Sequence, residues 1–388
     1  MNDFTFSMPT MVHFGKGKEM LVGDLIKQQQ AKKILLHYGS GSIKETGLYN
    51  KVIDSLHKSN IDYVELGGVH SNPKLGLVKQ GITICKERGI DFILAVGGGS
   101  VIDSSKTIAI GVPYEGDVWD FYLKKETVKK ALPVGVILTV PATASETNRC
   151  AVITNEEGMF KRGLKDVHVK PAFAIMNPEL TYTLSDYHMA VSIIDIFAHV
   201  WERYFTKQEH SDLQDKMCEA IFRTLIKQSY QAVKERDYKT CSDIMWASSI
   251  AHNDLLGEIG DFGAHRTGHE ISAKYDLSHG GSLAITMGAW AKYVFKEDIN
   301  RFCQFSVNVW DVEYDYDCPE RTALEGIRRM EMFIHRLGIP TTFTHAELPI
   351  NEFEQMAEKA VNNGLGYVGG PFKKLSKIDI INIYRLAI

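Results

Sequence analysis

The stretch DFILAVGGGSVIDSSK, residues 91–106, predicts a strand that runs through three glycines into a helix beginning near Val101. Its apolar run has the length and composition of a strand that is buried on both faces of a parallel sheet. Glycines at such a turn let backbone N–H groups approach an anion, and the following helix N-terminus favours a phosphate. A tight strand-to-helix turn, which any α/β protein needs, would explain the same residues.

Similar apolar runs stand on either side of this stretch. They are KKILLHYGSGS (32–42), IDYVELGG (61–68) and LPVGVILTVPATAS (132–145), with helix-like segments at 48–60 and 74–89. Strands that alternate with helices at this spacing predict a doubly wound α/β domain. Several of the strands are followed by Gly, Ser or Thr, so their carboxyl ends would converge on one ligand at one sheet edge.

The spacing of apolar residues along the chain changes after about residue 186. In SDYHMAVSIIDIFAHVWERYFT and KMCEAIFRTLIKQSYQAVKE the apolar positions recur every three or four residues, which is typical of helices. We see no convincing strand beyond this point, and the spacing in the closing segment IDIINIYRLAI predicts a last helix. The sequence therefore predicts an α/β domain over residues 1–186 and a helical domain over residues 187–388.

The composition excludes several classes of protein. The 388 residues are 44% hydrophobic and 24% charged with a formal net charge of −4, so we expect a soluble protein with no nucleic-acid partner. We expect neither a secretion signal nor a membrane partner, because no run approaches the roughly 18 apolar residues that span a bilayer. The six cysteines form no CxxC pair, which fits a reducing cytoplasm.

A histidine cluster is the strongest chemical signal. The stretch AHRTGHEISAKYDLSH, residues 264–279, contains His265, His269 and His279, and the first two would share one helix face. Asp195 and His199 have the same spacing on an otherwise apolar helix, where a buried carboxylate needs a partner such as a divalent cation. One carboxylate with two or three imidazoles suits Fe(II) or Zn(II) and leaves a coordination position open.

The histidines could also be ordinary packing residues. A single histidine on a helix is usually a core or surface residue without a special role, and His252 is only a weak further candidate. The chain has no HExxH motif and no GxSxG motif, which argues against a metalloprotease-like site and a hydrolase nucleophile elbow.

The first strand end bears on the choice of cofactor. The residues from Tyr38 to Ser42 include no carboxylate for a ribose 2′-hydroxyl, and Lys44 lies nearby. If the ligand is a nicotinamide dinucleotide, this pattern favours NADP(H) over NAD(H).

Taken in order along the chain, these motifs resemble the iron-containing (group III) alcohol dehydrogenases, in the branch of the butanol dehydrogenases and broad-range aldehyde reductases. The resemblance covers essentially the whole chain and rests on FGKGK, YGSGSIKETGLYN, ELGGVHSNPKL, VGGGSVIDSSK, LTVPATASETN, NPELTYTL, IIDIFAHVWERYF and AHRTGHEISAKYDLSHGGSLAI. It implies a dehydroquinate-synthase-like fold, with an amino-terminal Rossmann-like parallel-sheet domain that binds the dinucleotide and a helical carboxy-terminal domain that binds the metal. It also implies an active site in the cleft between the domains, and a homodimer.

The resemblance implies roles for individual residues. Asp195, His199, His265 and His279 match the metal ligands, whereas His269 matches a catalytic histidine beside the substrate. The positions that match cofactor-binding residues are Gly39, Ser40, Ser42, Asn72, Gly98, Gly99, Ser100, Asp103, Thr139, Thr143, Asn148 and Lys161. The implied activity is metal-dependent, NAD(P)H-linked interconversion of short- to medium-chain aldehydes, such as butanal, and primary alcohols.

The residues leave three rival functions open. A lyase or cyclase on the same scaffold would have to grip a phosphorylated substrate, but only Arg266 and Lys274 stand near the ligand motifs. A metal-dependent hydrolase would leave the glycine-rich turns with a structural role only. A helical interaction module would leave Asp195 unexplained on its apolar helix face. For the oxidoreductase, His269 would relay a proton or shape the pocket, and cofactor hydroxyls offer another proton path.

Overall fold

The computed structural model describes residues 3–158, 160–207, 212–362 and 364–388. The chain divides into two compact units, a sheet unit of Ser7–Thr183 and a helical unit of Leu184–Ile388 with the N-terminal residues up to Phe6. The strands are β1 (Met11–Phe14), β2 (Lys33–Gly39), β3 (Asp62–Val69), β4 (Phe92–Gly98), β5 (Val134–Val140), β6 (Cys150–Asn155), β7 (Phe160–Lys165), β8 (Phe173–Met176), β9 (Val368–Gly369) and β10 (Lys374–Leu375).

The helices include two long ones, α7 and α8, in the helical unit. They are α1 (Val22–Gln28), α2 (Ser42–Glu45), α3 (Leu48–Lys58), α4 (Leu75–Arg88), α5 (Gly99–Gly111), α6 (Trp119–Tyr122), α7 (Asp186–Tyr204), α8 (Asp212–Lys234), α9 (Tyr238–Ala251), α10 (Gly263–Tyr275), α11 (His279–Val294), α12 (Ile299–Trp310), α13 (Pro319–Arg336), α14 (Phe353–Val361) and α15 (Lys377–Leu386). Within the described ranges, no helix is long and apolar enough to cross a membrane.

The sheet unit is built on a six-stranded sheet in the order β1-β8-β5-β4-β2-β3, with parallel pairing throughout. In β4 the residues from Phe92 to Val96 are fully buried on both faces, as strands covered by helices must be. The predicted α/β fold class is therefore confirmed. The antiparallel hairpin β6–β7 was not predicted, because all six residues of FKRGLK are partly or fully exposed and form no apolar run.

The parallel pairing decides where ligand-binding residues can meet. The carboxyl ends of β5, β4, β2 and β3, which are neighbours in that order, all lie at one edge of the sheet. The chain leaves β2 towards β3 on one side and later returns to β4 on the other side. The strand order thus reverses between β2 and β4, and such switch points are where open α/β sheets bind ligands.

The helical unit is centred on α7, in which every residue from Met189 to Tyr204 is buried. A helix that is buried nearly all round must be surrounded by others, and α8, α9 and α11 pack against it. The predicted last helix is confirmed as α15. The expectation of no strand in this half is wrong for β9 and β10, which pair over only two residues each and are too short to show a periodicity.

Candidate metal centre and dinucleotide site

The helix α7 carries the first two predicted metal ligands. The side chain of Ser185 caps the helix by accepting a hydrogen bond from the backbone N–H of His188, which fixes its start. Asp195 and His199 then lie one turn apart on the same face, and both are buried, with 2% and 4% of their surface exposed. The Oδ1 atom of Asp195 lies 3.4 Å from Nε2 of His199.

The helices α10 and α11 supply the three histidines of residues 264–279. The carboxylate of Asp261 accepts hydrogen bonds from the backbone N–H groups of four residues, which fixes the loop before α10; they are Gly263, Gly370, Phe372 and Lys373. His279 is the first residue of α11, directly after the N-capping Ser278. At Gly280 a Cβ atom would overlap the carbonyl oxygen of Val191, so only glycine lets α11 approach α7 this closely.

The four predicted ligands converge. The Nε2 atoms of His265 and His279 are 2.7 Å apart, and Nε2 of His279 is 3.6 Å from Oδ1 of Asp195. Ligand atoms of Asp195, His199 and His265 all lie within 4.8 Å of one another. His199 Nε2 makes no hydrogen bond although it is buried. Imidazole nitrogens and a carboxylate oxygen gathered in this way are the donor set of a divalent transition-metal site.

His269 lies beside this cluster, one helical turn after His265. Its ring centre is 5.0 Å from that of His265 and 5.2 Å from that of His279, and the residue is only partly buried. The atoms of these three histidines also fall within 4.8 Å of one another, so distance alone does not separate His269 from the ligands. The assignment of His269 to the substrate rather than to the metal stays a prediction.

Two residues that the sequence pattern did not single out join the cluster from its buried side. Glu202, one turn after His199, has Oε1 at 2.6 Å from Nδ1 of His265 and Oε2 at 3.3 Å from Nδ1 of His199. Arg203 places Nη1 3.3 Å from the same Oε2 atom. Burial alone would raise the pKa of Glu202, but its interactions with His265 and His199 lower it to about 2. The i,i+3 spacing from His199 was the available signal for Glu202.

The weak candidate His252 also lies at the cluster. Its Nδ1 atom is 3.0 Å from Nδ1 of His199, on the side of that ring that faces away from Asp195. His199, Glu202 and His252 form a third group of ligand atoms within 4.8 Å. The helical unit therefore gathers five histidines and two carboxylates around one point.

In the sheet unit, the glycine-rich end of β4 packs closely against neighbouring residues. The helix α5 begins at Gly99, two residues earlier than predicted. A Cβ atom on Gly99 would lie 2.5 Å from Oγ1 of Thr143, and one on Gly98 would lie 2.9 Å from Cβ of Val140. Side chains are thus excluded at both glycines, and the N-terminal turn of α5, which includes Ser100, begins at this edge.

The neighbouring strand ends bring further predicted positions to this edge. Gly39 ends β2, and the exposed Ser40 and Ser42 follow it, whereas Thr139 and Thr143 are partly exposed at and after the end of β5. Asn72, which follows β3 with a left-handed φ of 57°, accepts a hydrogen bond of 2.9 Å from Nζ of Lys161. These two residues come from distant parts of the chain and meet here, and their role in cofactor binding stays a prediction.

A carboxylate that the sequence pattern did not reveal stands near the end of β2. Glu65 of β3 lies 3.6 Å from Nζ of Lys44 and accepts hydrogen bonds from the hydroxyl groups of Tyr38 and Tyr49. The Lys44 ammonium also lies over both tyrosine rings. Residues 38–42 themselves contain no carboxylate, as the sequence indicated. The pairing of β2 with β3 nevertheless brings the carboxylate of Glu65 to the end of β2.

Two predicted cofactor residues have their side-chain polar atoms engaged by the protein. Asp103 accepts from Oγ of Ser145 at 2.6 Å and from the backbone N–H of Val152 at 2.9 Å. Asn148 is buried, donates to the carbonyl of Thr143 and accepts from Nζ of Lys106. Burial raises the pKa of Asp103 and lowers that of Lys106 to about 8. Both Asp103 and Asn148 brace the loop after β5.

Comparisons with known proteins agree with this arrangement. The family model of the iron-containing alcohol dehydrogenases matches residues 9–178, and the model of the C-terminal domain of the Fe-containing alcohol dehydrogenase family matches residues 189–388. A probable NADH-dependent butanol dehydrogenase of Bacillus subtilis is 39% identical, with 100% of both chains covered. The NADPH-dependent aldehyde reductase YqhD of Escherichia coli is 33% identical, with 95% of both chains covered.

A solved structure extends the likeness to the fold. The NADH-dependent butanol dehydrogenase A of Thermotoga maritima superimposes with a TM-score of 0.95 at 32% identity, over 100% of this chain and 99% of that one. These findings do not favour the lyase or cyclase alternative. The resemblance stated from the motifs is confirmed: the chain belongs to the iron-containing alcohol dehydrogenase family and is an oxidoreductase.

Proposed function

We propose that this enzyme interconverts short- to medium-chain aldehydes, such as butanal, and primary alcohols, with NAD(P)H and a divalent metal. The observation that carries the proposal is the convergence of Asp195, His199, His265 and His279 on one buried point of the helical unit. The relatives named above are butanol dehydrogenases and an aldehyde reductase, which supports this substrate class.

The four side chains fit a metal ion by their chemistry. They offer one carboxylate oxygen and three imidazole nitrogens, a set that suits Fe(II), our first candidate, and Zn(II) as the alternative. A cation bound there supplies a Lewis acid that polarises an aldehyde carbonyl or lowers the pKa of an alcohol. The residues keep the site rigid, since Asp195, His199 and His265 are buried on packed helices.

We propose that the dinucleotide binds at the carboxyl edge of the parallel sheet. Gly98, Gly99 and Ser100 would offer backbone N–H groups to the pyrophosphate, and Gly39, Ser40 and Ser42 would lie at the adenosine side with Asn72 and Lys161. Thr139 and Thr143 would contact the cofactor from the end of β5. Asp103 and Asn148 would act through the loop that they brace. The bound nicotinamide supplies or accepts the hydride.

We propose NADP(H) as the preferred cofactor. Lys44 is close to the β2 end, and its half-exposed side chain leaves it accessible to a 2′-phosphate. Glu65 opposes this preference, because its carboxylate would repel the same phosphate. The preference therefore depends on Lys44 standing between Glu65 and the cofactor.

We propose that His269 lies next to the reacting oxygen and exchanges a proton there. It is one helical turn from His265 and is partly exposed, so it can reach both substrate and solvent. An imidazole can accept a proton from the alcohol or return it to the alkoxide. If His269 only filled space, its replacement would leave turnover nearly unchanged.

We further propose that the enzyme is a cytoplasmic homodimer. The strand β1 is at one edge of the sheet, and the side chain of Met11, its first residue, is 61% exposed. An exposed apolar edge strand is a natural surface for a second copy. All six cysteines are free thiols, which suits a reducing compartment. Light scattering on dilute protein would test the dimer, and a monomer would contradict it.

The direct test is oxidation of NADPH and, separately, NADH with butanal, followed at the absorption band of the reduced nicotinamide. The protein would be stripped of metal and reloaded anaerobically with Fe(II) or Zn(II). We expect oxidation only after reloading and faster with NADPH. No oxidation with any metal across a panel of aldehydes would contradict the proposed activity, and faster oxidation of NADH would contradict the cofactor preference.

A further inference from the structure

Glu202 is a buried carboxylate outside the proposed ligand set that nevertheless faces two of the proposed metal-binding histidines at once. It is 1% exposed and lies on α7, whereas the two imidazoles come from α7 and α10. Oε1 makes an ion-pair contact of 2.6 Å with Nδ1 of His265, and Oε2 makes a hydrogen bond of 3.3 Å with Nδ1 of His199. One carboxylate therefore spans two helices through two ring nitrogens.

The contact has a consequence for the protons of both rings. A neutral imidazole carries one N–H, and the ring nitrogen that faces a carboxylate oxygen is the one that holds it. Protons on Nδ1 leave Nε2 of both rings as a lone-pair donor. These are the atoms that point to the cluster, since His265 Nε2 is 2.7 Å from His279 Nε2 and His199 Nε2 is 3.4 Å from Asp195.

A second cation between Glu202, His199 and His252 would be the competing role for the same atoms. Arg203 argues against it. Its guanidinium is buried, the residue being 2% exposed, with Nη1 3.3 Å from Oε2 of Glu202 and 3.0 Å from the carbonyl oxygen of His199. A fixed, always-charged group already compensates the carboxylate there and would repel a metal ion. Arg203 thus takes the place where a second cation would lie, and Oε2 of Glu202 remains an acceptor for the His199 ring.

We propose that Glu202 is a positioning residue, which holds His199 and His265 in the tautomer with the proton on Nδ1 and thereby sets the metal affinity of the site. The inference rests on the proposed metal centre. It predicts that the negative charge and the two acceptor oxygens of Glu202 matter, rather than its volume. Hydrogen-bonded partners of ligating histidines typically change metal affinity by about 10- to 100-fold when they are removed.

The test compares Glu202→Gln with wild type in the full-length protein. Glutamine has the same shape but one acceptor oxygen, so it cannot accept from both rings, and one imidazole would turn an N–H towards the cluster. We expect Zn(II) affinity, measured by competition with a chromophoric chelator, to fall about 10- to 100-fold. We also expect the visible spectrum of the Co(II)-loaded protein to change. Glu202→Asp keeps both carboxylate oxygens on a shorter side chain, so its Zn(II) affinity should lie between those of Glu202→Gln and wild type.

The matched control is Glu219→Gln, a buried glutamate on α8 that is 4% exposed and bonds to Tyr204, Lys216 and Asn308 instead. It should change stability without changing metal affinity. Wild-type affinity and an unchanged Co(II) spectrum in Glu202→Gln, or in Glu202→Met if the glutamine variant does not fold, would overturn the positioning role alone. A wild-type protein that binds neither cation would overturn the metal centre, and this inference with it.

Discussion

The metal cluster of the helical unit and the strand ends of the sheet unit use their side chains in opposite ways. In the cluster, the carboxylate and imidazole atoms of Asp195, His199 and His265 point at one another within 4.8 Å. At the strand ends, the polar atoms of Asp103 and Asn148 are hydrogen-bonded to the protein itself. Glycine backbone is left at the place where a ligand would approach.

The difference follows from what each ligand needs. A transition-metal ion needs directional donors, which imidazole nitrogens and carboxylate oxygens supply. A pyrophosphate is bound well by backbone N–H groups, which any sequence offers where no side chain is in the way. Removing a side chain should therefore impair function most at the cluster, whereas adding a side chain should impair it most at the strand ends.

The largest effect is expected for His265→Ala. This histidine contacts both His279 and Glu202, so its loss removes one ligand and disturbs a second ligand and the carboxylate that positions it. We expect bound metal to be lost and kcat/KM for butanal to fall at least about 1000-fold, with the fold retained. Metal analysis and steady-state kinetics test this. His335→Ala, a change at an exposed histidine that stacks on His345, is the control and should have no effect. A variant that keeps both metal and activity would remove His265 from the ligand set.

His269→Ala separates the two roles that distance alone leaves open. If His269 exchanges a proton with the substrate, kcat should fall about 10²- to 10⁴-fold while metal content and dinucleotide affinity stay at wild-type values. Loss of metal would instead make His269 a ligand, together with His265 and His279. Unchanged turnover would leave it no part in the reaction.

Much of the fold was predictable because its main elements carry strong periodicity. The buried runs of β2, β4 and β5 and the helical spacing in α7 and α8 are visible in the sequence. The hairpin β6–β7 escaped because an exposed strand lacks an apolar face. The start of α5 was placed two residues late, since a glycine that opens a helix looks like a turn residue.

The candidate site shows a sharper limit. Spacing indicates that Asp195 and His199 share a face, but it cannot show that α11 meets α7 at this point. That contact depends on Gly280 lying against Val191, which are distant along the chain. Glu202 and Glu65 escaped for the same reason, because each gains its partners only through tertiary packing or strand pairing. The ligand assignments therefore came from resemblance as well as from pattern.

At the strand ends, Gly99→Ala should weaken dinucleotide binding more than the removal of a side chain would. The new Cβ atom would lie 2.5 Å from Oγ1 of Thr143, so the turn must shift and carry its N–H groups away from the pyrophosphate. We expect dinucleotide affinity, measured by fluorescence titration, to fall about tenfold with metal affinity unchanged. Gly163→Ala is the control, because its nearest neighbour is at an ordinary 3.7 Å. Wild-type dinucleotide affinity in Gly99→Ala would move the pyrophosphate elsewhere.

The smallest effect is expected for Lys44→Ala, since an exposed ammonium is screened by water. If Lys44 binds a 2′-phosphate, kcat/KM should fall about two- to fivefold for NADPH and stay constant for NADH. Glu65→Gln should do the reverse and favour NADPH, because it removes the carboxylate that competes for Lys44. If Glu65 instead binds the ribose hydroxyls, Glu65→Gln should weaken NADH, and the strand ends would then recognise the cofactor through a side chain as the metal cluster does.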